Sequence, residues 1–316
     1  MDVDGLAYVS IGTADLERSL SLYRDALGYE LLTDEPAHGP AAEAFHGLPA
    51  GGAARRVLLA APGVRHGMVQ LVDTGAAGAA AGPVQQGLAD VDHGHIKTLD
   101  VFVEDYDAAA ARLLAHGFHW HTEPRVYPAG DISATEGHIA APDDVLLAIL
   151  QIHGAPRSLF ANATGTFSEV GASSHIVADL EAHVRFFGEG CGFTVHYDAE
   201  LTGPGVDSLV GLPEGTGLHM TIMAPAGYTT GKVGLVRYGP TAGGRSFAAR
   251  SWPPHTGLTA HGFLVRDLDA ACARLAALGG ELRVAPAALP FAPWGTVRAA
   301  ALATPEGLRV ELVEAL

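Results

Sequence analysis

Cysteine, positive charge and long apolar runs are all scarce in this chain, and each scarcity removes a class of function. The two cysteines, Cys191 and Cys272, lack metal-type spacing and are too few for a disulfide framework. They read as buried thiols in a reducing compartment. Lys and Arg number 19 against 35 Asp and Glu, a formal net charge of -16. Such a surface repels phosphate backbones and anionic lipid, so neither nucleic acid nor a membrane is an expected partner. No apolar run is long enough to span a bilayer. The opening MDVDGLAYVSIG has no basic segment leading into a long apolar one, so no secretory signal is read there and a cytoplasmic location is expected. The P-loop pattern, the dinucleotide fingerprint and the nucleophile elbow are all missing.

What the chain has is apolar material and repetition. Hydrophobic residues make up 48% and charged residues 17% of its 316 residues, enough for packed cores and about two domains. Residues 8–72 align with 172–236 at a constant offset of 164, and 19 of the 65 positions are identical. Chance alone gives roughly 4–5. The clearest stretch pairs GPAAEAFHGLPAG at 39–51 with GPGVDSLVGLPEG at 203–215. A weaker repeat pairs TLDVFVEDYDAAAARLLAHGF at 98–118 with AHGFLVRDLDAACARLAALGG at 260–280. The chain therefore reads as four modules in two duplicated halves, 1–153 and 169–316. The polar, Pro/Gly-containing stretch 153–168 is the linker between halves, and GAAGAAAG at 75–82 reads as a flexible linker between modules.

Each module has the same grammar. An alternating apolar strand comes first. An aspartate (Asp15, Asp105, Asp179, Asp267) then starts an amphipathic helix, where its carboxylate accepts backbone N–H bonds. A glycine (Gly28, Gly117, Gly192, Gly279) stops the helix in the left-handed region. Three apolar runs follow as strands. The unit is βαβββ and the fold class α+β.

Four such modules, with D-L-x-x-(S/A) helix starts and a P-(D/E)-(D/G) turn before the last strand, resemble the vicinal-oxygen-chelate superfamily (glyoxalase, bleomycin resistance, extradiol dioxygenase). The resemblance covers nearly the whole chain. It implies modules paired into two curved-sheet half-barrel domains, one per half of the chain, each enclosing a pocket. It also implies a divalent metal, such as Fe(II), Mn(II), Zn(II) or Ni(II), held by His, Gln or Glu on the first and last strands of the modules. Those positions here are Tyr8, Thr98, Ala172 and Ala260 on first strands, and Gln70, Ala148, Gly234 and Glu311 on last strands. Only Glu311 is a carboxylate and none is histidine, so the usual metal site is not expected.

An alternative set is His175, His261 and Glu311, on the three strands that supply the ligands of an extradiol dioxygenase. His175 lies four residues before Asp179 and His261 six before Asp267, an odd displacement from the ligand positions. Strand side chains alternate faces, so both rings should point away from the pocket unless each strand carries a bulge. His119, His121, Glu136 and His138 alternate on strands and read either as a metal set or as hydrogen-bonded side chains. Trp294, in PFAPWG, lines a pocket mouth or packs a turn. Glu311 meets a ligand or pairs with Arg298 or Arg309.

The expected function is metal-independent binding of a small apolar or aromatic molecule, in a resistance, sequestration or carrier role. The expected pocket lies in the C-terminal half, where Ala172, Gly234 and Ala260 would leave room beside Glu311. The alternative is an enzyme with a divalent metal: an extradiol-type dioxygenase, a lyase or an isomerase. No cofactor is expected on the first reading, and the chain should be a monomer or homodimer.

Overall fold

The computed structural model describes residues 3–85, 91–129, 132–239 and 244–316. Module one supplies β1 (Val3–Thr13), β2 (Glu30–His38), β3 (Ala53–Ala60) and β4 (Met68–Asp73). Module two supplies β5 (His95–Phe102), β6 (His119–Ala129), β7 (Ile132–Ala141) and β8 (Val145–His153). Module three has β9 (Val170–Ile176), β10 (Thr194–Leu201), β11 (Leu218–Ala224) and β12 (Lys232–Tyr238). Module four has β13 (Gly257–Val265), β14 (Glu281–Pro290), β15 (Thr296–Ala303) and β16 (Arg309–Ala315).

The helices begin where the aspartates place them. These are α1 (Leu16–Leu20, continued by a π-helical turn), α4 (Tyr106–Ala115), α5 (Leu180–Arg185, also continued by a π-helical turn) and α7 (Leu268–Ala277). Asp15, Asp105, Asp179 and Asp267 each accept the backbone N–H three residues on, at 2.9–3.0 Å. Gly28, Gly117, Gly192 and Gly279 all take positive φ. The GPxxxxxxGLP repeats form two further helices, α2 (Pro40–His46) and α6 (Pro204–Val210), each with proline in its first turn and a left-handed glycine at its end. The GAAGAAAG segment is a short helix, α3 (Ala76–Ala81), rather than a flexible linker. Its Gly78 packs so close to Thr74 and Pro254 that a side chain would collide with them.

Two eight-stranded curved sheets form, and they do not follow the halves of the sequence. One runs β14-β15-β16-β13-β1-β4-β3-β2 and joins modules one and four. The other runs β10-β11-β12-β9-β5-β8-β7-β6 and joins modules two and three. Residues 1–153 and 169–316 therefore do not each close a sheet, and the expected domain division is corrected. The reason is symmetry. Modules one and three are equivalent in the repeat, as are two and four. Pairing one with four satisfies the same first-strand contacts as pairing one with two. Those contacts are the antiparallel pairs β1–β13 and β5–β9.

The sequence halves are held together in another way. Asp143, in the module-two turn, accepts the Ala14 N–H beside the start of α1. Glu306, in the module-four turn, accepts the N–H groups of Ala178 and Asp179 at the start of α5. The two sheets stand back to back around one core, which takes Leu20, Leu113, Leu180 and Leu275 from the helices and Val9, Leu99, Leu147 and Leu235 from the strands. The residues of each concave face cluster apart from that core, Tyr8 and Phe291 at one sheet and Ile176, Leu218 and Val236 at the other.

Candidate functional site

The eight ligand positions of the resemblance divide between the two cups. Tyr8, Gln70, Ala260 and Glu311 belong to the sheet of modules one and four; Thr98, Ala148, Ala172 and Gly234 belong to the other. Ala172 and Gly234 thus cannot share a pocket with Ala260 and Glu311, so the expected C-terminal pocket is not formed.

A single transverse row of residues shows how the cups differ. In the first, β-pairing aligns Met68, Tyr8, Gly262, Glu311 and Ala301 across five strands. In the second, the repeat-equivalent row is Lys232, Ala172, Asp100, Ala148 and His138. Both rows begin on a long side chain, Met68 or Lys232; over the next four positions large and small residues alternate in both, but in opposite phase.

In the first cup, Tyr8 fills the concavity. Its ring lies over Gly262, where a methyl group would sit 2.2 Å from it. Its hydroxyl donates to Glu311 Oε2 at 2.8 Å, and Arg309 Nε donates to Glu311 Oε1 at 2.8 Å. Arg309 also donates to the Phe45 carbonyl at 2.6 Å. Arg56 lies 3.8 Å over the Phe291 ring and pairs with Glu35. Trp294 packs on Tyr8 and Phe291, with centroids 6.2 and 5.6 Å away. Trp252 is held by an indole N–H bond to the Gly307 carbonyl, with Arg283 and Arg309 against its ring. Burial, with Glu311 next in weight, raises the Tyr8 pKa well above the phenol range; burial lowers that of Arg56 to about 10.

A metal ion does not fit this arrangement. Both oxygens of Glu311 are taken, two guanidinium groups flank the carboxylate, and Tyr8 is held as a neutral phenol. Gln70 donates to Ser10 at 3.1 Å and leaves its oxygen unpaired, one donor where a bound cation needs several. Glu311 pairs with Arg309; Arg298 instead pairs with Asp269 and Glu314.

The second cup is open. Ala172 stands where Tyr8 stands in the first, and a cavity of about 270 Å³ remains. Phe102, Phe160, Tyr127, Tyr197, Met220 and Ile222 supply much of its wall. A second, more open hollow of about 650 Å³ at Glu200, His219 and Arg237 shares Ile176, Leu218 and Tyr238 with it. Thr98 and Ala172 line the cup. Gly234 pairs with Ser174, whose hydroxyl would collide with any side chain there.

The polar groups of this cup come from positions that the ligand pattern does not mark. Asp100, beside Ala148 and Ala172, has its pKa raised to about 7 by burial and then by the Glu136 carboxylate. His138 Nε2 bonds Glu136 Oε1 at 2.9 Å, and Tyr127 donates to the other Glu136 oxygen. Glu136 and His138 were legible as a spaced pair and are indeed hydrogen-bonded to each other, whereas His119 and His121 are exposed. Lys97 bonds the Val210 carbonyl at 3.2 Å and the Tyr238 hydroxyl at 3.0 Å. Among the described residues, no group of three or more His, Cys, Asp or Glu is placed to hold a metal ion.

His175 and His261 lie in neither cup. Their rings stack at 4.3 Å, 17° from parallel, between the two sheets and against Phe187 and Phe263. Glu311 is engaged with Tyr8 and Arg309 on the opposite face, so the three alternative ligands do not converge.

Comparison with known proteins agrees with this architecture. The family described as Glyoxalase/Bleomycin resistance protein/Dioxygenase superfamily matches residues 5–149 and 173–312. The chain belongs to that superfamily. Among solved structures it is similar to glyoxalase I from Zea mays, with TM-score 0.64, 15% identity, and coverage of 99% of this chain and 92% of that one. It is also similar to a putative dioxygenase from Bacillus subtilis, with TM-score 0.61, 11% identity, and coverage of 99% and 86%. At such identities the likeness shows the fold alone. No curated protein matches the chain. Within the superfamily fold, this chain has one cup closed by its own side chains and one left open. No helix among the described residues is long and apolar enough to cross a membrane.

Proposed function

We propose that the chain binds a small, largely apolar or aromatic organic molecule in the cup of modules two and three, without a metal, in a resistance, sequestration or carrier role. One observation carries the reading. An aromatic-walled cavity of about 270 Å³ survives where the equivalent cup is filled. Concave apolar sites with a few convergent polar groups are the usual form of small-molecule pockets. The free, buried Cys191 and Cys272 suit a reducing compartment, the support for a cytoplasmic location.

The test is thermal unfolding of the full chain, in buffer with chelator, against a panel of neutral aromatic compounds. A binder at 100 times its Kd should add about 2.7 kcal/mol of stability. Ala172→Phe, which puts a ring where Tyr8 lies in the other cup, should abolish the shift and leave the fold intact. A panel without effect, or a shift that requires added divalent cation, would overturn the reading.

A second reading is favoured by Asp100. A carboxyl group with a pKa of about 7 lies in the range of a general acid or base. Proton transfer on the bound molecule would then be lost in Asp100→Asn, while binding of neutral ligands stayed. A molecule recovered chemically unchanged after prolonged incubation would exclude it.

A further inference from the structure

The structure assigns the open cup a ligand that carries a carboxylate on its aromatic or apolar body, with Lys232 as the residue that recognises the acid. The assignment rests on the binding reading above and adds the ligand's charge to it.

The unpaired polar groups that line the cup include two that can donate. Lys97 is already tied to Val210 and Tyr238. Both Glu136 oxygens are taken, by His138 and Tyr127. Lys232, by contrast, makes no hydrogen bond or ion pair among the described residues, although it is half-buried and lines the cavity. The Tyr197 hydroxyl is buried, lines the same cavity and is also without a partner. The buried Tyr197 hydroxyl is costly to leave unmatched, and the Lys232 ammonium, on a half-buried side chain, has no protein partner to give up. A ligand that brings acceptor oxygens matches both, whereas one that brings only donors leaves the ammonium without a partner.

The transverse row gives the same answer. Lys232 is separated from Asp100 by Ala172 alone, and Asp100 from His138 by Ala148 alone. Adjacent strands lie about 4.8 Å apart, so the Lys232 and Asp100 backbones are about 10 Å apart. The two alanines leave room for a ligand head between them. Asp100 and Lys232 form no ion pair with each other, so the lysine charge is not neutralised within the cup. Burial lowers the Lys232 pKa, the response of a cation held without a counter-charge. The repeat-equivalent of Lys232 in the closed cup is Met68, which packs in the core beside Tyr8. The lysine thus appears in the open cup and not in the filled one.

The experiment uses the full chain and three matched pairs of probes: 2-naphthoate, phenylacetate and indole-3-acetate, each with its neutral amide. Calorimetric titration at pH 6.5 should show each bound acid at least tenfold tighter than its amide. Lys232→Met should erase that preference while amide affinity stays within twofold, and Lys232→Arg should keep it. Amide binding by Lys232→Met also shows that the variant is folded. Acids and amides bound equally well, or a preference that survives Lys232→Met, would overturn the carboxylate assignment and leave the binding reading in place. No binding of any probe would overturn the binding reading itself.

Discussion

Tyr8 and Glu311 are 303 residues apart in the chain and share a 2.8 Å hydrogen bond that closes one of the two cups. With Arg309 on its other oxygen, Glu311 is 1% exposed and fully paired. Its role is to hold the cup shut.

Removing one member of a buried charge pair leaves the other desolvated and unmatched. Glu311→Ala should therefore cost about 3–5 kcal/mol of unfolding free energy, read from a denaturant titration. Ligand affinity in the other cup should stay unchanged, since no side chain is shared between the two. A variant that loses ligand binding while keeping full stability would return Glu311 to a binding site.

Gly262→Ala tests the packing of the same cup. The added methyl would meet the Tyr8 ring at 2.2–2.5 Å, and Phe291 and Trp294 prevent the ring from retreating. Overpacking of this kind costs about 1–3 kcal/mol. The double variant Tyr8→Ala, Gly262→Ala should show less than additive loss, because truncating Tyr8 removes the clash.

Stability should fall on acidification. Burial holds His175 well below its ordinary pKa and lowers His46, His95 and His261 to about 3. Below pH 6.5 the unfolded chain takes up protons that the folded chain refuses. Each such histidine then contributes about 1.4 kcal/mol of loss per pH unit, down to its folded pKa. Asp100 acts in the opposite direction. Its pKa is raised to about 7, so between pH 4 and 7 the folded state holds the extra proton, and stability falls as pH rises. These histidines outweigh Asp100, so stability falls on acidification between about pH 4.5 and 6. Urea titrations across that range measure it. His175→Phe with His261→Phe should make that dependence clearly shallower.

Binding of 2-naphthoate should have its own pH profile. Glu136 and His138 face Asp100 from β7, Tyr127 from β6, Lys97 from β5, Lys232 from β12, and His196 and Tyr197 from β10. Protonated Asp100 donates to an acidic ligand and ionised Asp100 repels it. With a pKa of about 7, affinity should drop about tenfold between pH 6 and pH 8. Asp100→Asn should flatten the profile over that interval. A profile that keeps its midpoint in Asp100→Asn would place the titrating group elsewhere.

The fold was legible because each module carries local instructions that act on the backbone: an aspartate to begin the helix, a glycine to end it, and alternating strands after it. Pairing between modules carries no such instruction, since equivalent modules present equivalent edges. The ligand positions pointed to the concave faces, with Thr98 and Ala172 on the open one and Tyr8 in the closed one. Which cup was open depended on sizes compared across strands. Tyr8 is large where Gly262 is absent of side chain, and Ala172 is small beside Asp100. Asp100 and Lys232 occupy positions that the family pattern does not mark, and only the row that aligns them shows that they face one cavity. The spacing of Glu136 and His138 was visible in sequence, but their partner Tyr127 became visible only through β6–β7 pairing.

The pairing of module one with module four, and two with three, nests one sheet inside the other along the chain. A ribosome would complete module one at Asp73 and would not reach the first strand of module four until Gly257, 257 − 73 = 184 residues later. At about 5–20 residues per second this is a wait of roughly 10–40 s. Modules two and three can close their sheet within that interval, whereas β1, paired with β4 on one side, keeps its other edge open until β13 is made. The strand that carries Tyr8 is thus the natural client for a chaperone during synthesis, and the last strands to be made complete the sheet that the first strands began.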